Sequence, residues 1–288
     1  MPYLFPEVFL RDNSGFDVLL GNPPWEKLKV DEEKWWGRFL PGLRSQNHSE
    51  MNKILQKYIA DNPQVKERFN SALEETNQIR KTILCSPYPG LGSGDVDLYQ
   101  AFAWKYLQLT RKRGLTSIVL PRIALSGSGL KEFRKSLLQS GSLSELTFLV
   151  NRGGWVFESV HQQYTIALVT FSPESQEAEV SIQGPYSSQL EWAKGKLDKV
   201  VVFSEEVSRW FPTLMFPLTG SSSELSLFSR LMKNPRIGDK DDTWDFRFVK
   251  GDLDSSNDRA LFNESGSGPT LDVWGGASFQ TLLWTSKT

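Results

Sequence analysis

The chain has little of what builds metal centres and cross-links. Among 288 residues there is one cysteine, Cys85, and two histidines, His48 and His161. A single cysteine excludes an internal disulfide framework and a cysteine-rich zinc cluster, and two isolated histidines leave no histidine-built metal site, so no metal is expected. Net charge is nearly absent as well: 33 Lys plus Arg against 34 Asp plus Glu leave a formal charge of -1. Any binding of nucleic acid must therefore come from a local patch. No apolar run approaches the roughly 18 residues of a membrane helix. The N-terminal MPYLFPEVFLRDNSG carries prolines and acidic residues where a leader would be basic and then apolar. These absences predict a cytoplasmic protein without a membrane segment, and the lone cysteine fits a reducing compartment.

Aromatic residues, by contrast, are plentiful. With 18 Phe, 10 Trp and 39% hydrophobic residues, the chain has the material for one large domain or two small ones with a real core. Phe16 to Leu20 is a short apolar run ending at Gly21-Asn22-Pro23-Pro24-Trp25, which predicts a buried strand feeding a stiff loop, because proline restricts itself and the residue before it. Ser49 to Ala60 and Pro63 to Leu84 read as helices, followed by the turn-rich SPYPGLGSGD. From Asp97 a helix is expected with Leu98, Phe102, Tyr106 and Leu109 inward, stopping at Lys112-Arg113-Gly114. A strand over Thr116 to Leu120, a helix over Leu130 to Leu138, and strands over Leu146 to Val150 and Tyr164 to Phe171 complete an α/β signature. Cys85, after Ile83 and Leu84, reads as a small apolar filler.

The string Asn22-Pro23-Pro24-Trp25 carries the most chemistry. Loops beyond the carboxyl ends of sheet strands are where α/β proteins place ligands. Asn22 offers a side-chain carbonyl and Pro23 a backbone carbonyl held by its ring, two fixed acceptors that suit the two hydrogens of an exocyclic amine. Trp25 adds a flat face for stacking, worth about 1 to 3 kcal/mol per base. The competing reading is a rigid Pro-Pro turn with Trp25 as a core anchor.

FDVLLGNPPW resembles the catalytic motif of amino-group DNA methyltransferases, in particular the adenine-specific (N6) class of large restriction-modification enzymes. DLYQAFAWKYLQLTRKRGLTSIVLP, over residues 97 to 121, and LKEFRKSLLQ look like the helix, strand and helix that follow it. VFESVHQQYTIALVTF, from Val156 to Phe171, resembles the segment in which a phenylalanine covers the second face of the flipped base, which maps that role to Phe157. WDFRFVKGDLDSSNDRALF, from Trp244 to Phe262, looks like a segment near the target-recognition region of the same enzymes. The resemblance implies methyl transfer from S-adenosylmethionine to adenine N6 in double-stranded DNA. Asn22, Pro23, Pro24 and Trp25 form the catalytic motif, and the extruded base lies between Trp25 and Phe157. Where the family usually has Tyr or Phe, this chain has Trp25.

The family's cofactor motif lies upstream of its catalytic tetrapeptide, and only 21 residues precede Asn22. The expected fold class is therefore α/β: a partial Rossmann-like methyltransferase domain without its cofactor-binding N-terminal half, followed by a mixed C-terminal region. Residues 1–175 are expected to form the catalytic half and 176–288 to begin a target-recognition region. A separate or missing N-terminal segment would supply the cofactor seat, without which the chain would be inactive or incomplete; Gly90, Gly92 and Gly94 follow a polar helix and read as a connector. Lys105, Arg111, Lys112, Arg113, Arg122, Lys131, Arg134 and Lys135 form an expected basic stretch along DNA. Of these Arg122, with Arg152 and Trp155 beside Phe157, is the expected DNA contact. Two further readings stay open: a non-catalytic DNA-binding or partner-subunit module, and a protein glutamine methyltransferase.

Overall fold

The computed structural model describes residues 1, 3–45, 47–91, 96–176, 178–195, 199–218, 221–235, 279–280 and 283–284. After a short α1 (Pro6–Phe9), strand β1 (Phe16–Gly21) runs into the Asn-Pro-Pro-Trp loop. A helical excursion follows, with α2 (Glu32–Gly37), α3 (His48–Asp61) and α4 (Pro63–Leu84). It closes on itself: Lys27 bridges Asp97, Leu28 N–H donates to the Val96 carbonyl at 2.9 Å, and Leu98 N–H donates to the Glu26 carbonyl at 2.9 Å. Local chemistry explains the starts. Asn47 caps α3 by accepting from Glu50 N–H at 2.9 Å, while its amide donates back to the Glu50 carboxylate. Pro63 opens α4, where a missing N–H costs nothing. Trp36, Leu43, Val65 and Phe69 make a small core of their own.

The chain then returns to the sheet through α5 (Leu98–Leu109), β2 (Thr110–Pro121), α6 (Lys131–Gln139), β3 (Leu143–Val150) and β4 (Thr165–Phe171). The strands β5 (Glu179–Tyr186) and β6 (Val200–Phe203) extend it, with α7 (Gln189–Gly195) between them and α8 (Ser204–Trp210) and α9 (Ser222–Leu231) after. Six strands lie in the order β1-β2-β4-β3-β5-β6. The pairs β1–β2 and β3–β5 are parallel, while β2–β4, β3–β4 and β5–β6 are antiparallel. The boundary expected near residue 175 thus falls between two strands of one sheet, and the compact unit runs Met1–Met232. The second unit, Lys233–Thr288, shows a two-stranded pairing of β7 (Phe279–Gln280) with β8 (Leu283–Trp284). Trp244 to Phe262 and the tail from Ser265 to Ser278 lie outside the described residues.

One face of the sheet holds the main core. Ile118 and Leu120, Leu146 and Phe148, Ala167, Val169 and Phe171, and Val180 and Ile182 alternate inward, as a pleated strand requires, against α5, α6 and α8. Edge-to-face contacts Trp104–Phe133 at 5.3 Å and Phe133–Phe171 at 5.9 Å lock α5 and α6 onto β4. Each fully buried side chain of this size stabilises by about 1.5 to 3 kcal/mol. The opposite face carries a thinner cluster of Leu149, Ile166 and Tyr186, covered by Trp155, Val156, Phe157, Trp192 and Trp25.

Four expectations are corrected. The buried strand expected at Phe16 to Leu20 is a strand, but an edge: β1 has β2 on one side only among the described residues, and Val18 and Leu20 are 58% and 75% exposed. Helix α5 buries Tyr99, Ala103 and Trp104, whereas Phe102 on the expected inward face is exposed. That helix also stops earlier than Lys112-Arg113-Gly114, passing into β2 at Thr110. The extended, β-branched Thr110 ends it, its hydroxyl donating to the Tyr106 carbonyl at 2.7 Å. Gly114 instead lies within β2, where a Cβ would sit 2.9 Å from the Phe16 carbonyl oxygen across the strand pair. Cys85 is exposed at the end of α4 rather than filling an apolar gap.

Candidate active site

The parallel pairing of β1 with β2, and of β2 with β3 through the antiparallel β4, brings the ends of β1, β2 and β3 to one edge of the sheet. Asn22, Arg122 and Asn151 stand immediately beyond those three ends, and the start of β4 lies there too. Asn22, Pro23, Pro24 and Trp25 extend β1 at this edge. Asn22 and Pro24 are exposed, Pro23 is buried and Trp25 is half-buried. Among the described residues no hydrogen bond engages the Asn22 side chain or the Pro23 carbonyl. Two acceptor oxygens are thus free at the corner. Gly21 lets the strand turn there over Tyr106: a Cβ at Gly21 would sit 2.0 Å from the Tyr106 hydroxyl oxygen.

Trp25 is fixed. Its indole Nε1–H donates to the Val119 carbonyl of β2 at 3.3 Å, and its ring packs against both core clusters. It is therefore partly the core anchor of the competing reading and partly an exposed wall. Phe157 meets it edge to face, with centroids 5.8 Å apart and planes at 89°. The two rings are in direct contact, with no gap between parallel faces.

Phe157 sits in the loop from Asn151 to Tyr164, opened by the turn Arg152–Gly154. Gly153 and Gly154 both have positive φ, +73° and +76°, a backbone path that two consecutive side-chain-bearing residues rarely adopt. Trp155 Nε1–H donates to the Val150 carbonyl at 2.7 Å, which turns the indole down onto the thinner face of the sheet. The residue that sequence reasoning passes over is Asn151, whose side chain is wholly buried among these loop atoms. An asparagine after a strand reads as an ordinary turn residue; only the loop's curvature shows its bonds.

Arg122 is half-buried and Arg152 exposed at the same edge, and neither is engaged by an ion pair or hydrogen bond among the described residues. Four of the other basic residues are engaged elsewhere. Arg111 pairs with Asp17 at 2.6 Å and Lys112 with Glu174 at 3.0 Å, at the opposite end of β2 from Arg122. Lys135 pairs with Glu132 on its own helix, and Arg134 is buried. Arg111 and Arg11 together hold the Asp17 carboxyl below the usual carboxylate range, chiefly through their hydrogen bonds to it. Burial lowers the Arg134 guanidinium to about 10, so it stays charged at neutral pH. His161 is exposed, its Nδ1 accepting from Gln163 N–H at 3.2 Å. Among the described residues no group of three His, Cys, Asp or Glu is placed to hold a metal, and no helix is long and apolar enough to cross a membrane. Gly92, Gly94 and Asp95 lie outside the described residues.

A comparison with curated proteins finds no match. Solved structures that match part of this chain include the type I restriction-modification system methyltransferase subunit from Streptococcus thermophilus. It is 15% identical, with a TM-score of 0.36, over 69% of this chain and 36% of that one. A modification subunit of a putative type I restriction enzyme from Vibrio vulnificus YJ016 is 11% identical, with a TM-score of 0.38, over 74% and 38%. A DrdV–DNA complex is 15% identical, with a TM-score of 0.36, over 63% and 16%. The chain spans well under half the length of each of these three. Residues 72–154, which run from within α4 to the turn after β3, match the family model of the Eco57I restriction-modification methylase.

Proposed function

We propose that this chain supplies the catalytic half of an adenine-specific DNA methyltransferase of the restriction-modification type. The observation that carries the reading is the pair of free acceptors at the end of β1, the Asn22 side chain and the Pro23 carbonyl, beside Trp25 and Phe157. The family match over residues 72–154 supports it independently, because it covers neither the tetrapeptide nor Phe157.

An exocyclic amine is a poor nucleophile because its lone pair is delocalised into the ring. Two carbonyl acceptors on its hydrogens favour the pyramidal, partly positive nitrogen of the transition state. Hydrogen bonds to a charged group contribute about 1.5 to 3 kcal/mol each, so either acceptor supplies roughly ten- to a hundredfold in rate if it strengthens as charge develops. Reaching a base inside a duplex requires its extrusion, and stacking on Trp25 and Phe157 offsets part of the unstacking cost. Arg122 and Arg152 are unengaged cations on the same edge, suited to phosphates flanking the extruded nucleotide, and Trp155 lies beside them.

The methyl donor this chemistry calls for is S-adenosylmethionine, whose sulfonium carries an electrophilic methyl group. The described residues do not build a seat for it. Among the described residues the outer side of β1 bears no further strand, and Asn22 is exposed. Exposed Val18 and Leu20 on that edge suit pairing with a further polypeptide segment that brings the cofactor seat. The test is labelled methyl transfer to mixed-sequence duplex DNA by this chain joined to such a segment. N6-methyladenine is the expected product, with at least about a tenfold loss in Asn22→Ala. Equal labelling by the variant removes Asn22 from the reaction, and label on a protein glutamine in place of DNA overturns the substrate class.

A further inference from the structure

Asn151 follows β3, is fully buried and lies outside the tetrapeptide. All four of its side-chain hydrogen-bonding positions are used. The amide nitrogen donates to the Phe157 carbonyl at 2.8 Å and to the Val160 carbonyl at 2.9 Å. The amide oxygen accepts from Val156 N–H at 3.1 Å and from Phe157 N–H at 3.0 Å. Its own main chain is held as well, with N–H donating to the Tyr164 carbonyl at 2.9 Å and the carbonyl accepting from Gly154 N–H at 3.0 Å. One side chain thus replaces the missing strand partners of the loop from Asn151 to Val160, and no other residue type of this shape offers two donors and two acceptors.

Both polar main-chain atoms of Phe157 are tied to that one amide. Across from it, Trp25 is held by its indole bond to Val119 and by packing on two sides. The edge-to-face contact between the two rings leaves no slot for a base. Of the two walls, only the Phe157 ring lacks a polar tether. We propose that Asn151 is a positioning residue: it pins the Phe157 backbone opposite Trp25, so that the aromatic pair opens by rotation of the Phe157 ring against a fixed tryptophan and not by movement of the loop. This deepens the base-clamp role of Phe157 and rests on that reading.

Hydrogen exchange separates the two. In the unaltered chain without DNA, the Val156 and Phe157 amides are expected to exchange as slowly as the β3–β4 ladder, although they lie in a loop; exchange at unprotected-loop rates overturns the proposal without any variant. In Asn151→Ala, both amides are expected to speed up at least a hundredfold while those of Val169 and Leu146 stay slow, showing that the sheet has folded. Asn151→Asp keeps an acceptor for the Val156 and Phe157 amides but loses the donors to the Phe157 and Val160 carbonyls, and is expected to protect those amides less than Asn151 does. Unchanged Phe157 protection in Asn151→Ala also overturns the pinning.

The second readout is a duplex with 2-aminopurine at a target adenine, added to the chain joined to its cofactor-bearing segment. Asn151→Ala is expected to lose at least tenfold in the affinity of the brightened, extruded state. Full-strength capture by that variant removes Asn151 from positioning. If the unaltered protein shows slow Phe157 exchange but never brightens the probe, the pinning stands and the base-clamp reading falls.

Discussion

Arg134 shows what a single residue contributes that periodicity does not foresee. It lies on the inward face of α6 between Phe133 and Leu137, 1% exposed, with no carboxylate partner among the described residues. Its guanidinium donates instead to four main-chain carbonyls, those of Ala124 at 2.6 Å, Gly127 at 2.7 Å, Thr213 at 2.7 Å and Leu214 at 3.0 Å. The loop after β2, which begins with Arg122 at the site edge, is thereby fastened to the segment ahead of α9. A buried acceptor left without a donor costs about 1 to 3 kcal/mol, so Arg134→Leu is expected to destabilise by at least about 3 kcal/mol. Arg134→Lys is expected to rescue little, because an ammonium cannot span the same fork of acceptors. Urea unfolding of the three forms measures both, and a loss under about 1 kcal/mol in Arg134→Leu contradicts the bracing role. On a helical wheel an arginine among apolar neighbours reads as a surface cation, and its partners, being backbone oxygens, leave no mark in the sequence.

At the scale of elements, β1 is held to the sheet by its ladder with β2 and by a charged clasp at its start. Arg111 Nε and an Arg11 guanidinium nitrogen both reach Asp17, at 2.6 and 2.9 Å. A carboxyl whose pKa is lower folded than unfolded contributes stability that is present above its ordinary value of 3.8 and lost as pH falls through the lower folded value. The clasp is exposed to solvent and screened, so its effect is local. Amide exchange in β1 is expected to be insensitive to pH-dependent opening above about pH 5 and to show extra opening below about pH 4, and Asp17→Asn should remove that acid-dependent part. Acid opening that persists in Asp17→Asn assigns it to another group. Helices α3 and α4 are legible from the sequence to within a residue or two, because caps and a proline start are local signals. The inward face of α5 is not, because Ala103 and Trp104 are chosen by what α6 and the sheet leave vacant.

At the scale of the whole molecule, and among the described residues, helices cover one face of the sheet, the other carries a thinner cluster, and edge strand β1 has exposed Val18 and Leu20. Unpaired, apolar strand edges template association. Sedimentation of the chain is expected to show concentration-dependent self-association, reduced by Val18→Lys with Leu20→Lys, while the unfolding midpoint changes little because both side chains already face water. Association unchanged by the double substitution places the adhesive surface elsewhere. The strand that leads into the Asn-Pro-Pro-Trp corner was within reach of sequence reasoning. The placement of the basic residues was not: Arg111 lies at the start of β2 and Arg122 just past its end, and strand length carries them to opposite ends of the sheet.

By itself the sequence determined the free-acceptor corner, since two prolines stiffen the backbone wherever the strand ends, and the presence of an α/β sheet, since apolar runs of strand length alternate with amphipathic helices. Tertiary structure alone decided which strand is the edge, which cations reach the site and which side chains organise it. Those outcomes depend on strand order and on bonds to main-chain carbonyls and amides. Every residue carries such groups, so nothing in the amino-acid order distinguishes the ones that Asn151 and Arg134 engage.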